Sequence, residues 1–161
     1  MILLIGLKSS WNNKIKSFHK VTDLTKNETS NEEIYLDILS FFAKSIINNN
    51  EIIIIIKLVD PKNRLFYLDG YKPINVPSNN DDGLTDFLNN YSLLNEYSLK
   101  LNSIINIINI QNFLKSRNIK FIFIGDKIDF SILSNEIDKN FIEDNLYNII
   151  KEIKVLNDSI G

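Results

Sequence analysis

Cysteine is absent from this 161-residue chain, histidine occurs once and arginine twice. Without thiols there is no disulfide scaffold, no cysteine nucleophile and no Cys-ligated zinc. With His19 as the sole imidazole, a two- or three-histidine metal centre is excluded, and neither a metal nor a cofactor is expected. Three Pro and five Gly stand beside 44% hydrophobic and 24% charged residues, which excludes a disordered chain and fits one domain over 1–161. Charge of one sign is also lacking. A net charge of −2 gives no whole-molecule field for nucleic acid or for an anionic membrane surface. The longest apolar run, Ile52 to Ile56 with Leu58 and Val59 beyond Lys57, falls far short of the roughly 20 residues that span a bilayer. Met1 to Gly6 has no charged n-region and does not read as a signal peptide. The expectation is a soluble, cytoplasmic product.

What is plentiful is isoleucine, asparagine and lysine, at 29, 24 and 16 residues. All three have A/T-rich codons, so the excess points to a low-GC genome rather than to a chemistry. Asn48 to Asn50 and the Asn79-Asn80 pair are discounted as functional signals on the same ground.

Short apolar runs alternate with helical periodicity. Ile2 to Ile5, Glu51 to Val59 and Ile119 to Ile124 read as strands buried on both faces, and Val21 to Leu24 as a brief further strand. A short helix is expected within 12–20. Ser30 and Glu33 have capping-box spacing, and the stripe Ile34, Ile38, Phe41 and Phe42 predicts a helix behind them. Asp60-Pro61 stops the central strand. An irregular excursion is expected over 65–83, then helices over 86–95 and 96–117. The second of these has apolar residues on more than one stripe, which predicts burial of both its sides. Ile142, Leu146, Ile149, Ile150, Ile153 and Leu156 predict a C-terminal helix. This succession predicts an α/β fold, a three-layer flavodoxin-like parallel sheet with helices on both faces. Ligands in such a sheet meet the loops at the strands' carboxyl ends.

Those loops carry the candidate site residues. Ser9 and Ser10 follow Gly6 at a strand end, where a hydroxyl can act as a nucleophile or, with free amides, cradle an anion. The serines can equally serve only to turn the chain. A catalytic role would draw on His19, Asp60 or Asp126 as base. Arg64 can clamp an anion bidentately, or pair with Asp60 or Asp69. Asp60 and Asp126 can form a carboxylate-only magnesium site, but acids after parallel strands are common turn formers. Lys14, Lys16 and Lys20 beside Trp11 and Phe18 can form a small basic, aromatic surface for phosphates or bases. The remaining 141 residues carry a net −6, which favours intramolecular or subunit pairing of those lysines over nucleic acid.

Ile2 to Gly6 followed by Leu7, Lys8, Ser9 and Ser10 resembles the first block of the SGNH (GDSL-like) hydrolase family, particularly its small phage-type members. Asn27 to Ile34, with Ser30-Asn31 opening a helix, is similar to the second block. Ile52 to Arg64 with Phe66 and Tyr67 is similar to the third, and a long helix before Ile119 to Ile124 fits the family's order. The resemblance spans about residues 1–130. The candidate ligand-binding set is Ser9, Asn31, Asp60, Asn63, Arg64 and Asp126. The family's Asp stands at Leu7 and its nucleophilic Ser at Lys8, with Ser9 one position late. The closing Asp-x-x-His has no counterpart, since 125–161 contain no His. Without an imidazole to take its proton, a serine hydroxyl stays un-ionised. The resemblance therefore implies the scaffold without the activity: a non-catalytic phage or viral protein, virion-associated or accessory. It would act in assembly or binding, with a protein partner or a second copy docking on helix 96–117 or loop 69–83. The alternatives are a hydrolase for esters, glycans or small phosphorylated substrates, and a nucleotide or small-anion binding module.

Overall fold

A strand that is apolar on both sides must be covered on both faces, and three such strands set the architecture of this chain. The structure is a computed structural model that describes residues 1–18, 20–45, 51–60, 64–68, 72–76, 96–125, 141–142 and 144–158. Strands β1 (Ile2–Leu7), β3 (Ile53–Lys57) and β6 (Lys120–Ile124) lie side by side at the middle of one sheet, flanked by β2 (Val21–Lys26) and β7 (Phe141–Ile142). The order is β2-β1-β3-β6-β7 and every pairing is parallel. From β1 the chain winds outward to β2, and from β3 it winds the opposite way. This is the doubly wound, flavodoxin-like order.

Alternation along the strands divides the core in two. Leu3, Ile5, Ile54, Ile56, Phe121 and Phe123 face helices α2 (Asn31–Lys44) and α3 (Glu96–Ser116), meeting Ile34, Ile38, Ile107, Ile110 and Leu114. Ile2, Leu4, Ile55, Ile122 and Ile124 face α1 (Asn12–Phe18) and α4 (Leu146–Asp158), meeting Trp11, Ile15, Ile149 and Ile153. The three layers expected from the sequence are present.

Local signals explain the helix ends. Ser30 Oγ accepts from the Glu33 amide at 3.1 Å and starts α2. Asn118, at φ 57°, ends the turn after α3, where the Ile119 amide returns to the Leu114 carbonyl at 2.9 Å. The guanidinium of Arg117 lies 4.7 Å from the ring centre of Phe113.

Four expectations need correction. Residues 64–68 and 72–76 are not irregular: β4 (Arg64–Leu68) and β5 (Lys72–Val76) pair as an antiparallel hairpin with Tyr67 opposite Pro73. The turn at 69–71, the rest of the 69–83 loop and the helix expected at 86–95 lie outside the described residues. Ile142 belongs to β7 rather than to the last helix, which begins after Asn145, whose Oδ1 accepts from the Asn148 amide at 2.9 Å. Trp11 is no surface aromatic but a core residue, 5% exposed. Finally, α3 is buried on one side only. Ile104, Ile107, Ile110 and Leu114 are buried, whereas Asn109 and Asn112 are exposed and Ile105 is 44% exposed. Among the described residues no helix is long and apolar enough to cross a membrane.

Gly6 has φ +99°, and a Cβ there would lie 2.1 Å from the Lys57 carbonyl oxygen. The backbones of β1 and β3 approach each other where only glycine fits. Gly6→Ala is expected to cost roughly 2–5 kcal/mol in urea unfolding.

Candidate functional site

β1 and β3 send their chains in opposite directions, so the carboxyl ends of these two strands are the crevice position of a doubly wound sheet. Lys57 closes β3 there, opposite Gly6. Its side chain is 17% exposed, and its ammonium donates to Ser9 Oγ at 2.5 Å and to Asp144 Oδ2 at 2.5 Å. Asp144 reaches in from the short link between β7 and α4. Its other oxygen, Oδ1, accepts from the Trp11 indole Nε1 at 2.6 Å. Two donors thus converge on one carboxylate, one ionic and one neutral, and both carboxylate oxygens are engaged.

Ser9 is fixed from the other side through its backbone. Its amide donates to Asn12 Oδ1 at 3.2 Å, and Asn12 Nδ2 donates to Thr25 Oγ1 at 2.8 Å. Thr25 Oγ1 donates in turn to Asp23 Oδ1 at 2.6 Å. Asn12 is 1% exposed, so this polar path crosses the interior between α1 and β2. A buried amide is stable there because its hydrogen bonds are made.

Asn31, at the start of α2, is likewise held by the fold. Its Nδ2 donates to the Val59 carbonyl at 3.0 Å and to Ser103 Oγ at 2.5 Å, and its Oδ1 accepts from the Val59 amide at 3.1 Å. Asn31, 2% exposed, caps the backbone just past β3 and ties α2 to α3. Its role is to position the β3 exit.

Two charged groups of β2, the strand beside β1, are shifted by their partners. Burial alone would raise the carboxyl of Asp23. Hydrogen bonds from Lys16 and from the Thr25 hydroxyl and amide, with the Lys16 charge, outweigh it and hold the group below its ordinary 3.8. Burial alone would lower Lys26. Its bonds to Asp37 and Glu33, both at 2.6 Å, raise it above 10.5 instead. Lys16, part of the basic segment, is thus paired within the chain.

Of the sequence candidates, Ser9 sits in the crevice and Ser10 is exposed beside it. Asp60 is exposed just past β3, and Arg64 opens β4 opposite Val76. His19, Asn63 and Asp126 lie outside the described residues. Among the described residues no group of three or more His, Cys, Asp or Glu side chains is placed to hold a metal. Sequence reasoning missed Lys57, Asp144 and Trp11 as a unit. A lone lysine ending an all-isoleucine strand marks Lys57, and the i, i+4 spacing of Trp11 and Ile15 marks the buried face of the α1 segment. Nothing local links either residue to Asp144.

Asn31→Ala leaves the buried Val59 amide and carbonyl without their side-chain partner, and is expected to cost about 2–4 kcal/mol in urea unfolding. Because the folded-state carboxyl of Asp23 is depressed, its contribution is full above the unfolded value and lost as pH falls through the lower folded one. Asp23→Asn should therefore be less stable than the wild type at pH 7, and the gap should close in urea titrations carried progressively below pH 3.8. Comparison of the chain with known protein families, curated proteins and solved structures finds no match.

Proposed function

We propose that the chain is a non-catalytic, SGNH-like α/β protein of a phage or virus that acts by binding, as a virion or accessory component. One observation carries this reading: the group against Ser9 Oγ is the Lys57 ammonium, itself ion-paired with Asp144. A serine nucleophile needs a neighbour that removes its proton. An ammonium that donates to the hydroxyl oxygen and to a carboxylate engages the serine's lone pair and takes no proton. On this reading Ser9, one position past the family's nucleophile, belongs to a hydrogen-bonded recognition surface rather than to a catalytic relay. Leu7 and Lys8 at the family's Asp and Ser positions support the same reading. The Ile, Asn and Lys excess fits an A/T-rich viral genome.

A hydrolase for esters, glycans or small phosphorylated substrates is the second reading. It is favoured by the position of Ser9 at the switch crevice, within hydrogen-bond distance of a lysine, since serine–lysine pairs are a known variant of serine catalysis.

A fluorophosphonate serine probe and a panel of nitrophenyl esters separate the two. The binding reading expects no labelling of Ser9 and ester turnover equal to that of Ser9→Ala. Stoichiometric labelling of Ser9, with turnover falling roughly 10³-fold or more in Ser9→Ala, would replace it with the hydrolase.

A further inference from the structure

We infer that the crevice formed by Lys57, Trp11 and Ser9 is a carboxylate-binding site, and that Asp144 is its resident occupant, displaced when an external carboxylate binds. The inference rests on the binding reading above and names the ligand class.

Two independent observations point to it. The first is the arrangement around Asp144. Both of its oxygens are taken by separate donors, Trp11 Nε1 at 2.6 Å and Lys57 Nζ at 2.5 Å, and Lys57 also holds Ser9 Oγ. This is how a free carboxylate is recognised: an ammonium for its charge, a fixed indole N–H for its direction, and a hydroxyl alongside. The donors belong to rigid parts of the molecule. Trp11 is in the core and Lys57 ends the central strand. The carboxylate itself comes from outside the sheet's centre. Asp144 is the more exposed partner, 27% against 17% for Lys57, so it can leave toward solvent without opening the core. Nor does it cap α4, because Asn145 does.

The second observation is position. The donors lie at the carboxyl ends of β1 and β3, where the winding of the sheet reverses. Doubly wound sheets take their ligands at that point. A tethered carboxylate competes with an effective concentration in the millimolar range. A ligand therefore wins either by concentration or by further contacts, and the bound and unbound states differ in which carboxylate the indole meets.

Trp11 is the only tryptophan, so its emission reports the exchange. Wild type, Asp144→Ala and Asp144→Asn are titrated with sodium acetate at constant ionic strength, with chloride as control, reading Trp11 emission and Tm. In Asp144→Ala, acetate is expected to give a saturable emission change and a Tm rise of roughly 3–6 °C at tenfold over its Kd, with no such response to chloride. The wild-type midpoint should lie at least tenfold higher. Adding Lys57→Met to Asp144→Ala should abolish the response. If Asp144→Ala does not fold, Asp144→Asn with and without Lys57→Met is read by the same criteria. N-acetylglycylglycine and its amide identify the source. A response to the acid but not the amide assigns the site to a peptide C-terminus, and a response to acetate alone assigns it to a small free acid. Equal responses to acetate and chloride, a response that survives Lys57→Met, or one midpoint for wild type and Asp144→Ala would overturn the inference. None of these readouts involves turnover, so Ser9 labelling by the fluorophosphonate would end the non-catalytic reading without deciding this one.

Discussion

The structure is organised around keeping water off the central strand β3. Ile52 to Ile56 are each no more than 3% exposed, and burying such a side chain is worth roughly 1.5–3 kcal/mol relative to leaving it in water. Because successive side chains point to opposite faces, no single layer of helices can cover them all. One face therefore needs α2 and α3 and the other needs α1 and α4. Parallel neighbours follow from the same demand, since the crossovers that carry the helices also set the strand direction. The crevice is a by-product of that arrangement: covering β3 from both sides sends the chain outward in two directions, and its exits cannot meet.

At the end of this apolar strand stands a charged residue, and the polar groups around it are organised by its needs. Lys57 can be mostly buried only because Asp144 and Ser9 satisfy it. Asp144 is held in turn by the indole of Trp11. Asn31 and Asn12, both buried, fix the backbones on either side by hydrogen bonds to Val59 and Ser9. Buried side chains behind the site thus preorganise it, and the groups gathered at the strand ends are the Lys57 ammonium, the Trp11 indole N–H, the Ser9 hydroxyl and the Asp144 carboxylate.

The sequence made the architecture readable wherever a segment's own pattern decided the outcome. Runs such as Ile52 to Ile56 have one comfortable environment, and Ser30 with Glu33 announces the start of α2 through a contact three residues long. Where long-range pairing decides, the local signal fails. β7 is two residues long and exists because β6 offers it an edge, so Ile142 was indistinguishable from the first apolar residue of the helix behind it. Trp11 sits among polar and basic neighbours, yet its ring is buried because Asp144, distant along the chain, satisfies its N–H. The hairpin of β4 and β5 has a local signal, since Asp69-Gly70 between apolar runs is a recognised hairpin pattern, but the pairing of Arg64–Leu68 with Lys72–Val76 is what makes both segments strands. The pairing of Lys57 with Asp144 spans 87 positions, and no local periodicity can register it.

The placement of β3 also has a consequence for solubility. Five consecutive isoleucines with no proline or glycine are the kind of segment that stacks into cross-β fibrils when left open. In the folded chain both of its ladders are taken by β1 and β6. At the sheet's rims stand β2, studded with Asp23 and Lys26 in ion pairs, and β7, too short to template an incoming strand. The most self-adhesive stretch of the polypeptide is thus the one farthest from any open rim. Sheltering it is a task that folding must complete before neighbouring nascent copies can find it.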